Sequence, residues 1–212
     1  MIFKYAALLF TLASLGEATT IQFIGAPTGV NDGSYYVLPY QITIDGSAQD
    51  VTCYDFLDDV SVGDTWQANI LSLSGAGSSN FFTNASLASY ERVAWLSAQT
   101  YSNSAEQVGL QYAIWDVFGS VGQTADSIVY EQAADAAAAD NYAGVDFSSF
   151  RFIQEVGAVA GGTDTKQAFV YQVAGTSLLV DSFANPIPEP GTITLFAAGV
   201  LLLVAGKLKI RN

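Results

Sequence analysis

The chain has 212 residues, half of them hydrophobic, with 3 Trp, 11 Tyr and 13 Phe, enough to build a sizeable core and to exclude a disordered chain. It carries 20 Asp and Glu against 7 Lys and Arg, a net charge of −13, and between Thr19 and Asn185 the only cations are Arg92, Arg151 and Lys166; such a surface repels nucleic acid and anionic lipid headgroups. There is no histidine and one cysteine, Cys53, which excludes Ser-His-Asp and Cys-His catalysis, most zinc, copper and non-haem iron sites, and any intramolecular disulfide.

In chain order, Met1–Ala18 reads as a secretory signal. Lys4 supplies the positive start, Tyr5–Leu12 the apolar centre, and Gly16-Glu17-Ala18 the small residues of a cleavage site. Strand character follows over Thr20–Phe23, then turn residues in Gly25–Gly33. Tyr35–Ile44 is aromatic and β-branched, with Pro39 marking an edge or bulge, and Asp45-Gly46 is a hairpin turn leading to a strand over Val51–Phe56. Alternation places Val51, Cys53 and Asp55 on one face and Thr52, Tyr54 and Phe56 on the other. Leu57–Asp64 reads as a solvated acidic loop without EF-hand spacing, Trp66–Leu73 as a further strand, and Ser74–Asn80 as a flexible Gly/Ser loop.

The middle third is helical in pattern. Asn84 or Ser86 caps a helix running to about Ala98. Ser104 with Gln107 forms a capping-box pattern for a second helix, and an alanine-rich third spans about Thr124–Tyr142, stopped by Gly144. The second helix contains Gly109–Phe118, nearly all apolar except Gln111, which shares a stripe with Ile114, Trp115 and Phe118. A buried amide without partners costs roughly 1–3 kcal/mol, so Gln111 must be hydrogen-bonded or chemically engaged. Asp55 and Asp116 are carboxylates near Cys53 and Gln111 in sequence. Strands return at Phe150–Glu155, Gln167–Val173 and Ser177–Phe183. Strands flanking a helical middle predict an α+β domain over 19–185, an antiparallel β-sheet or sandwich with a central helical segment, between an N-terminal signal helix and a C-terminal apolar helix.

The end of the chain, 186–212, is tripartite. Asn185-Pro186-Ile187-Pro188-Glu189-Pro190 is an extended linker, Thr192–Gly206 is uncharged and apolar but short for a bilayer crossing, and Lys207, Lys209 and Arg211 form a basic tail that points to the cytoplasmic side. The order of Pro188-Glu189-Pro190, apolar helix and basic tail resembles the PEP-CTERM sorting signal of Gram-negative bacteria. That resemblance implies processing by an exosortase-type membrane enzyme, a transient membrane anchor, and a destination at the cell surface or in the exopolysaccharide matrix.

Leu110-Gln111-Tyr112-Ala113-Ile114-Trp115 carries a second resemblance. It is similar to the apolar-Gln-x-x-apolar-Trp pattern of bacterial surface thioester domains, in which a strand cysteine lies upstream. Here the cysteine is Cys53, followed by Tyr54 and preceded by Thr52 where an aromatic is common. The resemblance covers about Tyr35–Phe118. It implies a thioester between Cys53 and Gln111 formed with loss of ammonia, and covalent capture of a nucleophilic surface or matrix ligand, without enzymatic turnover and with no cofactor. On the residues alone, a buried small thiol and a hydrogen-bonded core amide are the favoured account of the pair, and a non-reactive matrix protein with the same sorting signal is the alternative reading.

Overall fold

The structure is a computed structural model that describes residues 18–119 and 121–173. Six strands, β1 (Thr19–Gly25), β2 (Tyr40–Ile44), β3 (Ser47–Cys53), β4 (Thr65–Leu71), β5 (Phe150–Glu155) and β6 (Phe169–Gln172), alternate with a helical middle of α1 (Leu73–Gly77), α2 (Leu87–Ser97), α3 (Ser104–Trp115) and α4 (Ala125–Ala139). The α+β class is therefore as the pattern predicts. The sheet is neither open nor a two-sheet sandwich: its strands are all antiparallel and close as β1-β2-β3-β6-β5-β4. Closure leaves no unpaired edge, a long-range property that strand periodicity does not report. The signal segment, the strand expected at Ser177–Phe183 and the whole tripartite C-terminus lie outside the described residues.

Alternation along the strands sorts two cores. Inside the barrel lie Ile21, Phe23, Tyr40, Ile42, Val51, Cys53, Trp66, Ala68 and Phe169. Phe169 is the hub, with ring centroids 6.1 Å from Phe23, 6.0 Å from Tyr40 and 6.4 Å from Trp66. The opposite face of β3 and β5 meets the helices. There Tyr54 stands among Phe82, Tyr90, Phe118 and Phe152, and its hydroxyl accepts from Gln154 Nε2 at 3.0 Å.

The β2–β3 hairpin turns on Asp45 (φ 47°) and Gly46 (φ 84°), two successive left-handed residues, which is what a two-residue hairpin loop with this twist requires. Other boundaries move. The strand expected over Tyr35–Ile44 begins only at Tyr40, because Pro39 lacks a ladder donor. Ser74–Asn80 is not a loop throughout: Leu73–Gly77 is helical, with the Ser72 hydroxyl accepting from the Gly75 N–H. Ser86 caps α2. Asn103, not Ser104, caps α3, and Glu106 reaches back to the Ser102 N–H. Thr124 and Ser127 form the capping box of α4, which ends before Gly144 because Asn141 and Tyr142 already have positive φ. Gly109 lets α3 and α4 touch; a Cβ there would stand 2.4 Å from Asp126 Cβ.

Candidate functional site: the buried Cys53–Gln111 pair

Cys53 is the last residue of β3 and pairs with Phe169 of β6, so its side chain points into the barrel. Gln111 comes from the middle of α3, and both residues have zero solvent exposure. The two meet. Gln111 Nε2 donates to the main-chain carbonyl of Cys53 at 2.7 Å, and Gln111 Oε1 accepts the Leu38 N–H at 3.2 Å. A carbonyl only accepts and an N–H only donates, so these partners fix which end of the amide is which.

The strand register explains why an amide sits here. Tyr40 pairs with Val51; continuing that antiparallel register two residues further sets Leu38 opposite Cys53. The ladder does not continue. The Gln111 side-chain amide is spliced between them, taking the Leu38 N–H on one side and giving its own N–H to the Cys53 carbonyl on the other. One helical turn earlier, Gln107 Nε2 donates to the Leu38 carbonyl. Two glutamines at i and i+4 thus hold both main-chain polar groups of Leu38, and the strand that would have closed over Cys53 is held off by a side chain. Gln107 is therefore not part of a capping box: its side chain bonds a carbonyl 69 residues away, a partner that no helical pattern contains.

The thiol of Cys53 is free and donates to the Asp55 carbonyl at 3.0 Å. Burial pushes its pKa well above the usual thiol value, and the Asp55 charge adds to this; the Trp115 indole opposes it. The Trp115 N–H is buried and makes no hydrogen bond. Trp115 is itself packed by Tyr35, Phe56 and Tyr112, at centroid distances of 6.0, 5.1 and 5.6 Å. Leu110 and Ile114 are buried beside the glutamine. Tyr54 points to the opposite face and belongs to the aromatic layer between barrel and helices.

The two carboxylates near the pair in sequence separate in space. Asp116 caps the C-terminus of α3, is partly exposed, and lines a surface cleft of about 420 Å³ with Arg92 and Glu131 that neither Cys53 nor Gln111 reaches. Asp55 has zero exposure. One of its carboxyl oxygens accepts the Leu57 N–H at 2.9 Å and the other has no partner. Its pKa is pushed up to about 8, first by burial and further by the neighbouring Asp58, against the pull of the Leu57 N–H. The remaining acidic loop residues diverge: Asp58 accepts the Gly161 N–H at 2.8 Å, and Asp64 pairs with Lys166 at 2.9 Å. Among the described residues no group of three or more Asp, Glu, Cys or His side chains converges on one point. Pro188, Glu189, Pro190, Lys207, Lys209 and Arg211 lie outside the described residues.

No family model, curated protein or solved structure matches this chain.

Proposed function

We propose that the chain is an exported surface or matrix protein whose barrel domain forms an internal thioester between Cys53 and Gln111 and uses it once to bind a nucleophilic ligand covalently. The observation that carries this reading is the 2.7 Å contact between the Gln111 amide nitrogen and the Cys53 residue, with both side chains sealed from water. Attack of the sulfur on the Gln111 side-chain carbonyl carbon expels the nitrogen that makes this contact. The Leu38 N–H already rests on the carbonyl oxygen that would carry negative charge at the tetrahedral stage. The site sets a free thiol beside an amide, the pair that acyl transfer from the chain's own side chain uses.

The alternative, a non-reactive matrix protein, also has an observation in its favour: the Gln111 amide is fully hydrogen-bonded as it stands and needs no reaction to be stable. The intact mass of the domain spanning Thr19–Asn185 separates the two. The thioester reading expects a mass low by one ammonia, restored in Cys53→Ala, and a methylamine adduct on Gln111. A full mass with Cys53 freely alkylated after unfolding leaves the matrix reading. The sorting signal supports exosortase-type processing and surface placement; the ligand would be an amine or other nucleophile presented there.

A further inference from the structure

We propose that the Asp55 carboxyl is the proton carrier of thioester formation, taking the proton of the Cys53 thiol and delivering it to the Gln111 nitrogen as that nitrogen leaves as ammonia. This rests on the Cys53–Gln111 reading above. It starts from a structural problem that the reading leaves open: a buried thiol held in its neutral form must lose a proton, and a buried amide nitrogen must gain one, with no histidine in the chain. Amide nitrogen is a poor leaving group until it is protonated, and thiol is a poor nucleophile until it is not.

Asp55 is the buried carboxyl next along the chain from the thiol. It lies two residues beyond Cys53, where the Tyr54 N–H still bonds the Ala168 carbonyl and keeps the chain beside β6. The S–H is already anchored on residue 55, through its main-chain carbonyl at 3.0 Å. The carboxyl is fully buried, and one oxygen is fixed by the Leu57 N–H while the other has no partner. An orphaned carboxyl oxygen in a closed core carries a desolvation penalty, which a position serving only to hold the Leu57 N–H would avoid with a single hydroxyl. Asp58, held by the Gly161 N–H, is a neighbouring carboxyl that raises the Asp55 pKa further. The titratable groups facing Asp55 are Asp58 from the same turn and Cys53 and Tyr54 from β3.

The step balances without a co-reactant. The thiol proton passes to the free Asp55 oxygen as the S–C bond forms. The same proton passes on to nitrogen as the C–N bond breaks, and one ammonia departs for each thioester made. Asp55 ends in its starting state, and nothing is oxidised or reduced.

The test follows ammonia release and intact mass as the full chain, recovered unfolded and reduced, is folded by dilution. Asp55→Asn keeps the acceptor for the Leu57 N–H and removes the ionisable oxygen. With the wild-type chain losing ammonia, the variant is expected to fold with the same circular dichroism but to lose ammonia about a hundredfold more slowly, the lower range of general acid–base contributions. An equal rate in the variant overturns the role of Asp55 while leaving the thioester itself standing. A wild-type chain that never loses ammonia overturns the thioester and the carrier together. If Asp55→Asn does not fold, the wild-type rate against pH decides: it should rise and level off near pH 8, where the carboxyl has lost its proton. A rate that keeps climbing with hydroxide overturns the proposal.

Discussion

Asp55 is the residue at which burial and chemistry disagree most. Its folded pKa of about 8 lies far above the 3.8 of an unperturbed aspartate, so the folded chain holds this proton over a range in which the unfolded chain has released it. A group raised in this way contributes its stability in full below about pH 4 and loses it as pH rises to about 8. The acids shifted the other way, Asp32, Asp64 and Asp146, are lowered from 3.8 and act only below that value. Between pH 4 and 8 the slope is therefore assigned chiefly to Asp55. Urea unfolding at a series of pH values should show stability falling across this window by an amount on the order of a few kcal/mol. Asp55→Asn should flatten the curve; an unchanged slope in the variant would assign the proton elsewhere.

At the scale of elements, the segment from Ala26 to Pro39 acts as a strap over the buried pair. It has no strand or helix of its own, and it is tied down at its ends and middle. Asp32 Oδ2 accepts the Tyr112 hydroxyl at 2.7 Å, and the other oxygen of Asp32 accepts the Ser34 and Tyr35 N–H groups. Tyr35 lies edge-on to Phe56 and Trp115 at 5.1 and 6.0 Å, and Leu38 is held by Gln107 and Gln111. Tyr112→Phe removes the one side-chain bond from α3 to the Asp32 turn, worth about 1 kcal/mol. Amide hydrogen exchange over Asn31–Leu38 should then speed up by a factor of roughly 5–10, with the β1–β4 ladder unaffected. Equal exchange in both proteins would mean that the packing of Tyr35 and the bonds to Leu38 hold the strap without the Tyr112 hydroxyl.

This strap also marks where the sequence stopped being readable. The strands, the hairpin at Asp45-Gly46 and the helices α2 to α4 follow from alternation, turn residues and caps, all local signals. Gln111 was visible because it is the one amide on an apolar helical stripe. Gln107, Leu38 and the orphaned oxygen of Asp55 were not, because each acquires its role from a contact 69 or 73 residues away, or from a burial that only barrel closure creates. The same holds for the separation of Asp55 from Asp116. Both stand close in sequence to one member of the pair, and only the end of α3 decides that Asp116 turns out to the surface.

On the scale of the whole molecule, the folded unit and the proposed sorting devices occupy separate stretches of chain. β1 begins at Thr19, one residue after the predicted signal segment, and its pairing with both β2 and β4 closes the barrel. Signal cleavage after Ala18 therefore removes no ladder residue. At the other end β6 finishes at Gln172, and its pairing with β3 and β5 completes the sheet well before Pro188-Glu189-Pro190. Every described strand and helix thus lies within the stretch that processing at both ends would leave. A truncation of Ile187–Asn212 then tests sorting without removing any described strand or helix. The truncated chain should keep its thermal unfolding midpoint and be released from the producing cell instead of retained at its surface. The acidity of the domain sharpens this expectation: with net charge −13 over the chain and basic residues concentrated in the tail, the tail is the part with electrostatic affinity for an anionic membrane. Retention at the wild-type level after truncation would assign surface attachment to the domain itself, where covalent capture by Gln111 is the available route, and the Cys53→Ala variant in the same truncated background would then release it.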